Sequence, residues 1–562
     1  MRKTVASLLI VGLLLGLSTP LLAQQAKPLV TATFAGYDKL MSNVDYIGKL
    51  AQQPDLAKGL EEAIANMTGG GGKGIPGLDG ARPWCLVVQT KGEQFPVYAF
   101  VPVTDFKKLM ETLPKLNIEA KQDGDVYHIE AGTQTMFVAG KGNWAVLATS
   151  AEALKDAPAD PLALVGDMYK RYDLAVHMAM QNLPQQVRKM IVDQLQMGIA
   201  LGTERMPGET DEMHAIRQNM ARQSLKQIAS LFEEVESLQL GLAIDQQSKS
   251  AYLDLDIKAV PGTETAKDME LLKDAKTDFA GFELPGAAVT LNVSSRVSDS
   301  EVAEGKKILD AARAQMTKEL EGQPLDAEQL KIAKQLLGDV FDVLTKTVEA
   351  KKADVGMSLM LDPNAITVVA GMAVADAPKL EGVVKKLVET VGKEEAEVAK
   401  HIKLDAETYN GVRMHVASIP LDEEEPKKFF GDNVDVVLGV TDGAVYFGMG
   451  RDAMKTLKSA IDKSRSQAGK PTAPFKLAVA LGPIFKLAAE TAPDSEKQMA
   501  IMMAMMLDQA KGKDRVFVTA SAIPDGQRLR IELDEGVLKA IPMMIMLGAA
   551  REAPPLGVVP EM

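Results

Sequence analysis

The sequence has few of the residues that most often build catalytic and metal sites. Its 562 residues include one cysteine, five histidines and two tryptophans, and aromatic residues make up 5% of the chain. Because Cys85 is the only cysteine, an intramolecular disulfide is excluded, and the stability of the fold must come from its core. Cys85 follows Trp84 in an apolar segment, which predicts a buried and unreactive thiol.

Histidine spacing gives no motif for a metal or a general base. The five histidines include no His-Glu-x-x-His sequence and no pair at i, i+4 spacing. His128 and His415 lie in similar predicted strands, and the sequence identifies no carboxylate partner for either. We therefore interpret both as strand histidines that face solvent, and the sequence predicts no metal site.

Two other catalytic motifs are missing or incomplete. No Gly-x-Ser-x-Gly nucleophile elbow occurs, which leaves a serine hydrolase without support. The glycine-rich run from Gly69 to Gly74 lacks the Ser or Thr that follows Gly-Lys in a phosphate-binding loop, so it is interpreted as a flexible linker. The sequence thus predicts no catalytic residues and no cofactor.

The charge balance argues against a nucleic acid partner. The 63 basic and 76 acidic residues give a formal net charge of −13. Arg2 and Lys3 begin an N-terminal segment with an apolar core from Val5 to Leu17 and a small-residue site at Ala23, the pattern of a cleaved signal peptide over residues 1–23. Removal of these two basic residues makes the charge −15, and such a surface repels phosphate backbones.

Long uninterrupted apolar runs are missing beyond this leader. A membrane span needs roughly 20 consecutive apolar residues. The sequence therefore predicts no integral membrane span after signal cleavage, and an exported protein that is periplasmic or extracellular. The compartment does not identify the partner. Both a protein and an apolar small molecule are compatible with the sequence.

One order of elements occurs twice along the chain. The first occurrence reads as strand, helix, three strands and helix between residues 95 and 154, and the second reads likewise between residues 365 and 457. Flanking segments match as well: residues 29–33 with 288–292, 172–176 with 475–479, and 238–242 with 517–521. The offsets differ between pairs, as expected when loops absorb insertions.

These matches predict an α+β protein made of two tandem copies, each an antiparallel sheet covered by helices on one side. The predicted first domain spans residues 24–283 and the second spans residues 284–548. A proline-rich tail at residues 549–562 is predicted to be disordered.

Part of the first copy resembles a known family. The segments Pro102-Val-Thr-Asp105 and Gly142-Asn-Trp-Ala-Val-Leu-Ala-Thr-Ser-Ala-Glu-Ala-Leu154 are similar to exported bacterial proteins known only as a domain of unknown function, frequent in planctomycete-type secretomes. The similarity covers Trp84 to Asp156 and, loosely, the second copy, which departs from it at Gly448-Met-Gly-Arg451. The resemblance implies this fold and export, and it implies no activity.

Methionine clusters near the C-terminus are the remaining candidates for a binding site. Such side chains pack in cores, form adaptable surfaces for apolar ligands, or bind Cu(I). The candidate apolar-ligand surface comprises Met499, Met502, Met503, Met506, Met543 and Met546.

Taken together, the patterns predict a non-enzymatic binding or scaffold protein of the bacterial cell envelope. It would use a sheet face, a sheet edge or an inter-domain cleft. A periplasmic carrier of lipid or another apolar ligand, with the methionine-rich helices at its pocket, is the first alternative. A hydrolase with a site of scattered carboxylates is the second.

Overall fold

A computed structural model describes the chain from residue 26 to residue 542. The described part omits residues 70–73, 93, 132–133, 204, 206–208, 210–213, 215–216, 219–220, 222–224, 226–227 and 231. The predicted signal peptide, the predicted tail, Met543 and Met546 lie outside the described residues. With 44% helix and 33% strand, the structure confirms the predicted α+β class.

The chain divides into two compact units between Ala266 and Lys267. We call them unit 1 and unit 2. The domain boundary expected from the sequence, after residue 283, stays a prediction.

Unit 1 contains ten antiparallel strands. In spatial order they run β4, β5, β6, β7, β3, β2, β1, β8, β9 and β10. Their bounds are β1 Lys27–Phe34, β2 Trp84–Thr90, β3 Val97–Pro102, β4 Ala120–Asp123, β5 Val126–Ala131, β6 Gln134–Lys141, β7 Trp144–Ala148, β8 Leu174–Ala179, β9 Val235–Asp245 and β10 Ser250–Ala259.

Helices connect the strands of unit 1, and the short ones begin at polar caps. The side chain of Asp105 accepts a hydrogen bond from the backbone N–H of Lys108, 3.0 Å away, which starts the third helix. The helices are α1 Tyr37–Leu50, α2 Leu56–Thr68, α3 Phe106–Thr112, α4 Ala151–Lys155, α5 Pro161–Val165, α6 Met168–Arg171, α7 Gln185–Gly202 and α8 Glu264–Leu271, the last of which continues into unit 2.

Unit 2 also contains ten antiparallel strands. Their spatial order is β14, β15, β16, β17, β13, β12, β11, β18, β19 and β20. Their bounds are β11 Val289–Arg296, β12 Lys352–Asp362, β13 Ala365–Ala373, β14 Ile402–Tyr409, β15 Val412–Pro420, β16 Asn433–Val440, β17 Ala444–Gly450, β18 Phe475–Ala480, β19 Arg515–Ile523 and β20 Gly526–Asp534.

The helices of unit 2 include a long hairpin between its first two strands. Capping boxes at Ser298 and Asp326 begin its two helices. The helices are α9 Asp299–Glu321, α10 Ala327–Glu349, α11 Ala377–Glu394, α12 Ala396–Ala399, α13 Glu424–Phe430, α14 Ala453–Gln467, α15 Leu481–Thr491 and α16 Asp494–Asp508. In the part of the chain with assigned coordinates, no helix combines the length and the apolar character needed to cross a bilayer.

The strand order of unit 2 repeats that of unit 1 when ten is added to each strand number. A helical hairpin joins the first two strands in each unit, α1–α2 in one and α9–α10 in the other. Segments that the sequence pairs, such as residues 172–176 with 475–479, enter strands at equivalent positions, here β8 and β18.

Helices pack on both faces of each sheet, so the expectation of helices on one side is wrong. In unit 1, α5 and α6 add Val165 and Met168 to the core on one face, whereas α3 adds Leu109 to the cluster on the other face. In unit 2, a strap of residues 276–284 lies between one face of the sheet and α14. Both faces of each sheet carry enough apolar residues for a helix to pack against them. Short-range alternation in the sequence does not reveal this.

Candidate functional site

The strands at the centre and one side of unit 1 share a face made only of apolar side chains. Fifteen residues from β2, β1, β8, β9 and β10 form three rows across this face, which we call the apolar face of unit 1. The first row is Trp84, Phe34, Leu174, Leu242 and Leu253; the second is Leu86, Ala32, Val176, Leu240 and Leu255; the third is Val88, Val30, Met178, Leu238 and Ile257.

The opposite face of these strands carries the buried polar residues. Thr31 and Thr33 are 3% and 2% exposed, and Asp254 on β10 is 1% exposed. The hydroxyl of Tyr172 donates a hydrogen bond to Asp254 across 2.9 Å, and Gly241 leaves the space that the Tyr172 ring fills. The covered face is therefore mixed, since it also carries the core residues Cys85, Val87, Ala175 and Ala243, whereas the apolar face is more open.

The open part of the apolar face is its first two rows. Leu240 and Leu242 are 45% and 43% exposed, and Leu174 and Leu253 are 38% and 36% exposed. In the third row, α7 packs against Val30 and Met178. With strands about 4.8 Å apart and about 3.4 Å per residue, the fifteen positions cover roughly 400 Å², of which the two open rows make up about two thirds. Apolar surface patches of a few hundred Å² are often functional.

Unit 2 has an apolar face on the five equivalent strands, again without a polar side chain. It is more covered, since Ile531, at 38%, is the one member above 36% exposure. Its rows are Leu359, Val289, Val479, Val516 and Leu533; Met357, Leu291, Leu477, Val518 and Ile531; and Val355, Val293, Phe475, Ala520 and Leu529.

Comparison with known proteins does not identify the role of this surface. No family model matches the chain, and comparison with curated proteins and with solved structures finds no match. The assignment of a function therefore depends on the geometry of the site itself.

A second group of functional side chains lies beneath α11 in unit 2. Glu381 on α11 is 5% exposed, and His415 on β15 is 4% exposed. Oε2 of Glu381 accepts hydrogen bonds from Nε and Nη2 of Arg413 at 2.9 and 2.7 Å. Lys385 lies 2.9 Å from Oε1 of Glu381 and 2.9 Å from Asp405. We call these five residues the Glu381 cluster.

Glu381, Asp405 and His415 are close enough to share a metal ion, but their protons and partners oppose it. The backbone N–H of Asp405 donates to Nδ1 of His415 across 2.9 Å, so the proton of the neutral ring sits on Nε2, 3.3 Å from Glu381. A metal at Nε2 would have to displace that proton, and it would also face the ammonium of Lys385 and the guanidinium of Arg413. The Glu381 cluster is therefore a charge-balanced ion network around the buried Glu381 carboxylate, in which Arg413 and Lys385 are partly exposed and Asp405 is exposed.

The interpretation of His415 as a solvent-facing histidine is wrong. His415 pairs with Leu438, and α11 covers that side of β15. His128 differs: its ring is partly exposed, lies 4.8 Å from the ring of Phe137, and has Nε2 4.0 Å from Asp123. Tyr127 in unit 1 is equivalent to His415 in unit 2. When the second row of each apolar face is followed across the neighbouring strands, it reaches Tyr127 on β5 and His415 on β15. The two histidines are offset by one residue and thus lie on opposite faces.

The Glu381 cluster makes the free energy of unfolding depend on pH in the acidic range. Burial alone would raise the pKa of Glu381, but hydrogen bonds from Arg413 and Lys385 outweigh it and lower the pKa from 4.5 to about 2. Because the folded-state pKa is below the unfolded one, the stabilisation is complete above pH 4.5 and is lost as the pH falls toward about 2. We expect this loss to be on the order of 3 kcal/mol.

Urea unfolding of the wild type and of Glu381→Gln at a series of pH values measures this contribution. Other carboxylates titrate in both proteins, so the difference between the two curves isolates Glu381. The two unfolding free energies should converge as the pH falls. Parallel curves would show that the Glu381 carboxylate is not stabilised in the folded state.

The predicted methionine surface divides between core and solvent. Met503 is 1% exposed and packs with Leu507, while Met499 and Met506 contact the same cluster. Met502 is 41% exposed on the other side of α16. The four described methionines therefore do not line one common ligand surface.

Cys85 lies on β2 with 3% exposure, and burial raises the pKa of its thiol to about 12. A thiol with this pKa is protonated at neutral pH, so it is not a nucleophile there.

Sequence reasoning missed both the apolar faces and the partners of His415. Glu381 and Asp405 precede His415 by 34 and 10 residues, and no local motif links them. The apolar faces do have a signal, the alternation Leu238-Gln-Leu-Gly-Leu242 on β9. Such an alternation usually marks a core-facing side, so by itself it does not identify an exposed face.

Proposed function

We propose that this protein is a non-enzymatic, exported binding protein whose binding surface is the apolar face of its sheet. One observation carries the proposal: the apolar face of unit 1 leaves Leu174, Leu240, Leu242 and Leu253 more than a third exposed. Exposed apolar area of this kind is costly to maintain in water unless a partner covers it.

The occupant we propose is an apolar small molecule such as a lipid. Of the fifteen side chains only Trp84 has a hydrogen-bonding group, an indole N–H that is buried without a partner, and the strands are paired with their neighbours. A peptide laid on this face would leave its own N–H and C=O groups without partners, whereas an acyl chain has none to satisfy. A stable protein dimer buries about 800 Å² on each partner, roughly twice the area of this face.

The tandem copies and the export signal belong to the same proposal. The shared strand order, the helical hairpin at the same place and the two apolar faces support duplication of one ancestral unit. The N-terminal pattern supports export, and the resemblance to exported bacterial proteins agrees with both. In this proposal each copy has retained the binding face, with that of unit 1 more open.

The hydrolase alternative has one observation in its favour. A cavity of about 810 Å³ in unit 1 is lined by Asp38, Asp45 and Glu61. Asp45 is held by Lys49 at 2.7 Å, which removes one of the three from the role of a free acid or base. We therefore favour binding. A hydrolytic activity of the wild type that is lost in the Asp38→Asn variant would favour the hydrolase instead.

Replacement of Leu240 and Leu242 by glutamine tests the proposed surface. We expect the full chain to bind the neutral apolar dye diphenylhexatriene, and the double variant to bind it at least about tenfold more weakly, since 1.4 kcal/mol corresponds to a factor of ten. Ile308→Gln, at a position 64% exposed on α9, is the matched control and should bind as the wild type does.

Dye fluorescence gives the affinity, and organic extraction of the purified protein followed by mass spectrometry shows what is bound. Equal affinities of the wild type and the double variant would refute a site on this face. Recovery of no lipid from the protein would count against a carrier.

A further inference from the structure

The cavity of unit 1 lies at the end of the strands where the first row of the apolar face runs. Phe34 ends β1 in that row, and Tyr37, which lines the cavity, follows three residues later. Three residues span at most about 11 Å of chain. Ile75, another lining residue, packs in a cluster with Val101, which lies on the same side of β3 as the apolar face. The cavity and the face are thus neighbours within one unit.

The lining of the cavity is acidic. Asp38 and Asp45 from α1 and Glu61 from α2 face one basic residue, Lys58. Asp45 is paired with Lys49, and Lys58 is 3.8 Å from Glu62. Asp38 and Glu61 have no ion pair with any residue that the structure describes. Two carboxylates are therefore available to a cation that enters the cavity.

A buried hydroxyl is the second feature of this cavity. Tyr37 is 7% exposed, and its hydroxyl has no hydrogen-bond partner in the described part of the chain. Burial, together with the negative charges of Glu61 and Asp38, raises the pKa of Tyr37, which places its hydroxyl in the field of the two lining carboxylates. A buried hydroxyl without a partner is uncommon, and a polar ligand group in the cavity would satisfy it.

We propose that unit 1 binds an amphiphile with a cationic head group, its head in the cavity beside Asp38 and Glu61 and its apolar tail along the first row of the apolar face. This inference rests on the proposed function and adds the chemical class of the ligand. The two carboxylates attract the head, and the Tyr37 hydroxyl can donate to or accept from its polar atoms. The tail covers the exposed leucines Leu174, Leu242 and Leu253.

An anionic amphiphile is disfavoured by the same geometry. A fatty acid would bring its carboxylate beside Asp38 and Glu61, and three like charges in one cavity repel each other. A neutral amphiphile would gain only the contacts of its tail. Charge on the head group is therefore the variable that distinguishes this site from a general apolar surface.

Three amphiphiles with the same dodecyl chain test the inference on the full-length protein: dodecylammonium, dodecanoate and dodecyl maltoside, each below its micelle concentration. Displacement of diphenylhexatriene gives the three affinities. We expect the cationic amphiphile to bind at least about tenfold more tightly than dodecanoate, and Asp38→Asn with Glu61→Gln to reduce that ratio toward one. Dodecyl maltoside should bind equally to both proteins, which also shows that the variant is folded.

Glu119→Gln with Asp125→Asn is the matched control. It removes the same two charges from exposed positions on either side of β4, away from the lining residues. Equal affinities for the cationic and anionic probes, or an equal effect of the control variant, would overturn the cationic head group while leaving the apolar face intact. Failure of all three probes to bind would instead overturn the proposed function.

Discussion

Replacing Glu381 with glutamine is expected to lower the free energy of unfolding of unit 2 by about 3 kcal/mol near neutral pH. The substitution keeps the size of the side chain and removes its charge. Arg413 would then lose its carboxylate partner at 2.7 Å, whereas Lys385 would keep Asp405 at 2.9 Å. Arg413 and Lys385 are partly exposed, so water offsets part of their loss, but the stabilisation of the buried Glu381 carboxylate exceeds that of a surface pair.

Glu389→Gln is the matched control for this prediction. It makes the same change on the same helix, where the Glu389 side chain is 69% exposed and lies 3.1 Å from Lys393. We expect this variant to stay within about 0.5 kcal/mol of the wild type. Urea unfolding measures both, and similar losses in the two variants would show that the Glu381 cluster is no more stabilising than a surface ion pair.

Alanine at Gly281 is expected to destabilise unit 2 by about 3 kcal/mol or more. Gly281 lies in the strap, and an added Cβ would sit 2.2 Å from the carbonyl oxygen of Ala460 and 2.2 Å from the backbone nitrogen of Ser464. These are backbone atoms of α14, so no side chain can turn away to relieve the contact. The strap would have to lift from the helix, taking Phe279 and Phe282 with it.

Gly382→Ala provides the comparison. A Cβ at this position on α11 meets nothing within 4 Å, and alanine favours the helix by up to about 1 kcal/mol over glycine. Opposite signs for the two substitutions are therefore expected in the same denaturation experiment. A Gly281→Ala protein as stable as the wild type would mean that the strap does not pack against α14.

The loss from Gly281→Ala should be large because the strap carries several buried contacts. Asp354 accepts hydrogen bonds from the Thr277 hydroxyl at 2.6 Å and from the backbone N–H of Asp278 at 3.0 Å. Phe279 and Phe282 form edge contacts with each other at 6.0 Å between ring centroids. Their rings occupy the space left by Gly371, and their Cβ atoms lie against Gly356.

Much of this fold can be predicted from the sequence because its strands are local. Alternating segments such as residues 97–102 and 126–131 lie between turns, and the partners of the second segment, β4 and β6, are adjacent to it in the chain. The α+β class and the positions of matched segments follow from these patterns. What the sequence cannot supply is which side of a strand the rest of the protein covers, since alternation identifies two faces without ranking them.

The candidate site depends on this missing information. On β9, Leu240 and Leu242 look like core residues, yet they are the most exposed leucines of the apolar face. On β15, His415 looks like a surface residue, yet α11 covers it. Both errors have one physical origin: a strand of alternating character is compatible with either side being the covered one until its non-local neighbours are known.

The difference between the two faces of the unit 1 sheet also constrains how this protein can change during evolution. Packing fixes the covered face, where Asp254 accepts a hydrogen bond from Tyr172 and Gly241 leaves space for the Tyr172 ring. On the open face, Val, Ile, Leu and Met can replace one another at positions such as Leu240, since no fixed neighbour defines their shape. Homologous chains should therefore diverge faster at the exposed apolar positions of this sheet than at Asp254 and Gly241.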